Sequence, residues 1–111
     1  MVDKVFIGKM TFAWQDLGAG VKRKIISYDE QLMMVKVAFE QGAIGSLHHH
    51  YHTQMTYVIS GSFEVQVGDE KQILKKGEVF YAPPNIMHGV ICFEAGELLD
   101  VFSPMREDFV K

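Results

Sequence analysis

The stretch QMTYVISGSFEVQVGDEKQIL, Gln54 to Leu74, holds three runs rich in β-branched and aromatic residues, QMTYVIS, FEVQV and KQIL, parted by SGS and GDE. Val, Ile, Tyr, Phe and Thr suit a pleated, half-buried surface, and the Gly, Ser and Asp between them supply turns. The same chemistry continues in both directions. Upstream lie KIISY (24–28) and LMMVKVAFE (32–40); downstream lie VFYA (79–82), HGVIC (88–92) and LLDVF (98–102), with DE, QGAIG, KKG, PPN, EAGE and SP at the breaks. Eight short strands at this spacing predict an all-β domain, either a closed barrel or a two-sheet jelly roll. The opening TFAWQDLGAG (11–20) is read as containing one helical turn.

At 111 residues the chain makes one domain, 1–111, able to bury roughly 60–70% of its unfolded surface. Neither a repeat nor a low-complexity linker suggests a boundary. The lone Cys92 excludes an internal disulfide. Nothing approaches the ~20 apolar residues of a membrane span, and MVDKVFIGKM lacks the apolar centre of a secretion signal, so a cytoplasmic protein is expected. Eleven basic and fourteen acidic residues give a net charge of −3, which argues against nucleic acid or an anionic membrane as partner. The basic run Lys22-Arg23-Lys24 is read as a solvated strand edge rather than a local anion site.

Four of the five histidines crowd into LHHHYHTQ (47–54). In an extended strand His48 and His50 share a face, ~6.6 Å apart at Cα, close enough to converge on one ion, with His49 opposite. Gln54 has the same parity but lies ~13 Å from His50 along a straight strand. A bend between 50 and 54 is therefore required if it is to join them, and that bend leaves the direction of His52 open between metal and substrate contact. His88 follows the stiff PPN turn, which would hold it in a defined direction. Taken singly, each of these is an ordinary strand histidine; the joint spacing points to a metal.

In LLDVFSPMRED (98–108), parity places Asp100 and Phe102 on one face and Leu99 and Val101 on the other. A carboxylate inside an apolar run needs a cation, a hydrogen bond or a catalytic reason. An ion pair with Arg106 closing the end of the barrel and a functional role are both open on this reading.

The spacing resembles that of the cupin superfamily. Its first motif, G(x)5HxH(x)3,4E(x)6G, is met by Gly42, His48, His50, Gln54 in place of Glu, and Gly61. Its second, G(x)5PxG(x)2H(x)3N, is met by Gly77, Pro83 and His88, with Asn85 for the glycine and Cys92 for the asparagine. Asn tolerates positive φ well, so the first of these two departures is mild. The resemblance implies a single-domain cupin, a small double-sheet jelly-roll β-barrel. It also implies one divalent transition metal (Zn, Ni, Mn, Fe or Co) held by His48, His50, Gln54 and His88. A neutral amide at position 54 leaves the ion its full charge, where a carboxylate would halve it, and makes a stronger Lewis acid.

GVKRKI (20–25), HxHxHxQ (48–54), FYAPPNxxHG (80–89) and LDVFSPxRED (99–108) together look like the pectin-degradation cupins that open the ring of unsaturated monouronates. That resemblance implies conversion of a 4,5-unsaturated monouronate from pectin or alginate to the linear 5-keto-4-deoxyuronate, and a small anionic sugar as partner. Asp100, or a metal-bound water, is then the acid–base group, and Arg106 binds and orients the substrate. Phe102 walls the sugar ring and His52 contacts it; Gln66 and Tyr81 are weaker lining candidates. Small cupins also pair, so a homodimer is expected, with LMMVKVAFE as material for the interface. A binding module without turnover and a metal-dependent dioxygenase remain alternatives.

Overall fold

The alternation along the chain resolves into two antiparallel sheets in the computed structural model, which describes residues 5–9 and 12–111. The strands are β1 (Gln15–Gly18), β2 (Val21–Tyr28), β3 (Met33–Phe39), β4 (Ile44–His48), β5 (Thr53–Val58), β6 (Ser62–Val67), β7 (Glu70–Lys75), β8 (Val79–Ala82), β9 (His88–Glu94) and β10 (Gly96–Ser103). One sheet runs β1-β2-β3-β10-β5-β8 and the other β4-β9-β6-β7, the expected double-sheet jelly roll. A short 3-10 turn, Glu107–Phe109, follows β10. Among the described residues no helix is long and apolar enough to cross a membrane.

The period of two decides which side chains enter the core. On β3, Met33, Val35 and Phe39 are buried while Met34 faces out, so LMMVKVAFE is an ordinary interior strand between β2 and β10. Phe39, Val58, Phe80 and Leu98 from the first sheet meet Phe63, Val65, Leu74 and Val90 from the second, with Phe39 and Phe63 edge to face at 5.3 Å. Burial of each such side chain contributes roughly 1.5–3 kcal/mol. Ile25, Met33, Val35 and Phe102 form a second, smaller apolar group. Along β5 the buried face reads Gln54, Thr56, Val58, so at its start the interior turns polar. That change of character marks the site.

Two expectations are corrected. The helical turn expected in 11–20 is not found in the described part of that segment: residues 15–18 form β1, in register Gln15↔Arg23 and Asp16↔Lys22. Asp16 Oδ1 accepts the Gly18 N–H at 2.8 Å, and positive φ at Gly18, Ala19 and Gly20 reverses the chain into β2. Pairing to a neighbouring strand overrides weak local preference. Nor is Lys22-Arg23-Lys24 a sheet edge, because β2 lies between β1 and β3. Lys22 is exposed with its ammonium 4.8 Å from the Trp14 ring, while Arg23 turns inward.

Candidate metal centre and its cavity

His48 ends β4 directly opposite His88, the first residue of β9. This closeness depends on Gly89, where a Cβ would stand 2.7 Å from the Gly45 carbonyl oxygen of β4. After His48 the chain leaves the strand, bends at Tyr51–His52 and re-enters as β5 at Thr53, the bend that Gln54 needed. The Pro83-Pro84-Asn85 turn supports it from the other side. Asn85 adopts φ 65°, as its place in the glycine position of the motif implied, and its N–H donates to the His50 carbonyl at 2.7 Å.

These elements bring His48, His50 and His88 together, with candidate ligand nitrogens within 4.8 Å of one another. Ring centroids lie 4.4 Å apart for His48–His88 and 4.9 Å for His50–His88. Each Nδ1 faces a backbone carbonyl: Ser46 at 2.7 Å from His48, His52 at 3.1 Å from His50 and Ile86 at 2.9 Å from His88. Carbonyls only accept, so each Nδ1 carries a proton and donates, and an imidazole holding one proton there keeps its lone pair on Nε2. Burial pulls His50 down to about 4, against the Gln54 oxygen, which would accept from Nε2 in the protonated ring. Burial likewise lowers His88.

Gln54 Oε1 then lies 3.0 Å from His50 Nε2 and 3.1 Å from His88 Nε2. With both rings neutral and protonated at Nδ1, these are contacts between lone pairs, which a cation among them would turn from repulsive to favourable. The donor set therefore fits a divalent transition metal, with the backbone carbonyls as the partners that fix ligand tautomers.

A hydrogen-bond chain leads from this cluster to Asp100. Gln54 Nε2 donates to Thr56 Oγ1 at 2.9 Å, and Thr56 Oγ1 donates to Asp100 Oδ1 at 2.7 Å. The direction follows from the carboxylate, which only accepts. Thr56 must give Asp100 its proton and so accepts from the Gln54 amide, which turns Oε1 toward the histidines. Burial pushes the Asp100 carboxyl up to about 6, with the Thr56 hydroxyl and Arg106 acting against it. The alternative of an Asp100–Arg106 ion pair is not found. Arg106 Nε and Nη2 instead donate to Asp108 Oδ1 and Oδ2 at 3.2 and 3.0 Å, because the 3-10 turn brings Asp108 back beside its neighbour.

Asp100, Phe102, Arg106, His48, Gln54 and His88 border one cavity of about 170 Å³. Phe102 supplies an apolar wall, buried at 2% exposure, with the Arg106 guanidinium 5.2 Å from its ring centroid. The cavity also takes in Arg23 and Phe109, whose functional placement the sequence reading missed. Parity was the available signal for Arg23, which lies midway between the inward-facing Val21 and Ile25. His52 is not among the lining side chains. It is buried, stacks on Tyr51 at 4.0 Å, and its Nε2 donates to the Met105 carbonyl at 3.1 Å, so this placement gives no support to substrate contact. His49 is exposed, Tyr81 is exposed on the outer face, and Gln66 Nε2 donates to the Gly68 carbonyl at 3.0 Å; all three occupy ordinary positions.

A two-sheet jelly roll with three convergent histidines at one end defines a cupin, and the Cupin domain family matches residues 35–102. The pectin degradation protein KdgF of Dickeya dadantii (strain 3937) is 52% identical over 99 residues, covering 87% of this chain and 90% of the relative. The chain belongs to the cupin family and, within it, to the pectin-degradation cupins represented by KdgF. Among solved structures, KdgF from Halomonas sp. superposes with a TM-score of 0.90 at 40% identity, covering 96% of this chain and 98% of that one. An RmlC-like cupin from Shewanella frigidimarina NCIMB 400 gives 0.92 at 40% identity, covering 96% of both.

Proposed function

We propose that this protein is a metal-dependent enzyme that opens the ring of a 4,5-unsaturated monouronate, derived from pectin or alginate, to the linear 5-keto-4-deoxyuronate. The observation that carries this reading is the link from Asp100 through Thr56 and Gln54 to the histidine cluster at one cavity. That link supports the reading because one small sugar in the cavity could touch both a carboxyl able to move a proton and a metal-fitting donor set. The kinship with KdgF, a pectin degradation protein, supports a substrate that comes from pectin.

The reaction is an isomerisation. The anomeric hydroxyl loses a proton, the bond between the anomeric carbon and the ring oxygen breaks, and the alkene carbon C4 gains a proton as C5 becomes a ketone. A divalent ion (Zn, Ni, Mn, Fe or Co), held by His48, His50, Gln54 and His88, would supply Lewis acidity toward the sugar's oxygens. Asp100 moves the proton, taking it from the hydroxyl as carboxylate and returning it to carbon as acid. A carboxyl pushed up to about 6 has both forms within reach near neutral pH. Phe102 holds the ring against an apolar surface, and Arg106 places positive charge beside an anionic sugar. Self-association belongs to this proposal too, with exposed Met34, Met55, Tyr57 and Tyr81 on the outer face of the six-stranded sheet as its apolar surface.

Purified protein mixed with freshly generated unsaturated monouronate should accelerate the loss of its conjugated ultraviolet absorbance above the spontaneous rate, and chelation should return it to that rate. Binding without acceleration would leave a sugar-acid-binding module, and oxygen consumption would indicate a dioxygenase.

Thr56→Val tests the orienting chain within the site. Valine keeps the shape but cannot accept from the Gln54 amide, which is then free to turn its oxygen away. Metal affinity, measured by titration against a chromophoric chelator, should fall about 10- to 100-fold, and Thr56→Ser should restore it. Unchanged affinity in Thr56→Val would reject the role.

A further inference from the structure

Arg23 is a charged side chain on a core-facing position. Val21 and Ile25, its neighbours on the same face of β2, pack into the two apolar groups, and Arg23 between them borders the cavity. A charge placed inward at a strand's centre carries a desolvation cost and calls for a partner. Its Nε donates to Gln15 Oε1 on β1 at 2.9 Å, and its guanidinium carbon lies 3.8 Å from the centroid of the Phe109 ring. These two contacts fix the plane of the guanidinium. They leave both Nη groups without a protein hydrogen bond among the described residues, and no described carboxylate forms an ion pair with it.

Arg106 is differently placed. Asp108 accepts from its Nε and Nη2, so the side face of its fork is engaged by a carboxylate and only the end face, through Nη1 and the second Nη2 hydrogen, stays open. The two arginines flank a common ring, since Arg106 lies 4.3 Å from the Phe109 centroid. Asp108 lies close enough to act on the Arg23 charge but accepts no hydrogen bond from it, so of the pair Arg23 is the one without a hydrogen-bonded carboxylate among the described residues and keeps both Nη groups for a ligand.

We propose that Arg23 is the carboxylate anchor of the cavity, recognising the acidic group of a sugar acid through its two Nη donors and so setting the preference for an acidic over a neutral sugar. Arg106 then serves the hydroxyl side of the ring near Phe102 and Asp100. The catalytic consequence rests on the ring-opening function proposed above; the binding consequence does not.

The test uses galacturonate, a saturated uronate that does not react, and galactose as its neutral counterpart, titrated calorimetrically into metal-loaded protein. Wild type should prefer galacturonate. Arg23→Gln should lose about 10- to 100-fold of that affinity, the scale of charge-assisted hydrogen bonds, with galactose binding unchanged. Arg23→Lys keeps the charge without the fork and should recover only part of the loss. Thermal unfolding and metal content identify which variants are folded and loaded, and Gln15→Ala, which frees Nε and loosens the plane, gives a milder loss if Arg23→Gln does not fold. With the unsaturated monouronate, Arg23→Gln should raise KM by the same factor and leave kcat within a few fold. A folded Arg23→Gln that keeps the wild-type preference overturns the assignment, as does a wild type with no preference. The two readings fail separately. Preference lost in the variant without ring opening by wild type removes the enzyme and leaves the anchor; ring opening with an unchanged KM in Arg23→Gln does the reverse.

Discussion

Asp100→Asn should slow ring opening about 100- to 10,000-fold, the range that a positioned acid–base group contributes, while leaving the metal site loaded and the protein more stable at neutral pH. Asparagine is close in shape, and its Oδ1 can still accept the Thr56 hydroxyl, so the chain that orients Gln54 persists. What it loses is the proton. The stability gain follows from the sign of the shift. Burial raises the Asp100 carboxyl from 3.8 to about 6, so the folded protein holds this proton more tightly than the unfolded chain does. Ionising Asp100 therefore costs nothing below about pH 4. The cost grows as pH climbs toward 6 and is complete above it. Above pH 6 the variant should be more stable by about 1–3 kcal/mol, and below pH 4 the difference should vanish. Denaturant unfolding of chelator-treated protein at the two pH extremes measures this without the metal's own field. An Asp100→Asn enzyme with wild-type kcat would remove Asp100 from the chemistry.

His88→Ala should reduce bound metal to a trace and activity to the spontaneous rate. His88 is buried at 2% exposure, stands in register with His48 on one side and Val67 on the other, and shares Gln54 Oε1 with His50. Removing it deletes the donor that joins the two sheets at the site. In wild type, metal at a hundredfold excess over Kd should add about 2.7 kcal/mol, seen as a rise in Tm of about 10 °C, and His88→Ala should show no such rise. The apoprotein should also weaken on acidification. His50 is depressed from 6.5 to about 4, so the unfolded chain takes up a proton that the folded one refuses. The stability due to neutral His50 is complete above pH 6.5 and is lost as pH falls toward 4. A wild-type Tm indifferent to every divalent metal tried would reject the metal centre.

Eight of the strands were legible because β-branched and aromatic runs with turn residues between them report directly on local geometry; VFYA matches β8 residue for residue. The two that escaped, β1 and β4, carry no such signal. QDLG and IGSLH include glycine and are almost wholly exposed, and they are strands because β2 and β9 present edges for them to pair with. The histidines and Gln54 were legible through fixed offsets. Thr56 was not singled out, although it shares parity with Gln54, because a threonine in a strand is ordinary until the strand across from it brings up a carboxylate.

From the order of residues alone came the strands, the shared face of His48 and His50, the held direction of His88 and the common face of Asp100 and Phe102, whereas the full set with Gln54 came from the resemblance to the cupin motifs. Each depends on spacing along one chain, which a period of two or a rigid turn converts directly into direction. Which charge meets which was decided only by folding. Asp100 was free to pair with Arg106, yet β5 lies beside β10 and sets Thr56 opposite it, while the 3-10 turn returns Asp108 to Arg106. Arg23, some eighty positions earlier in the chain, reaches the same cavity because β2 and β10 flank β3. Partner choice among distant polar groups is set by the pairing of strands across the sheet, and that pairing is written in no local stretch.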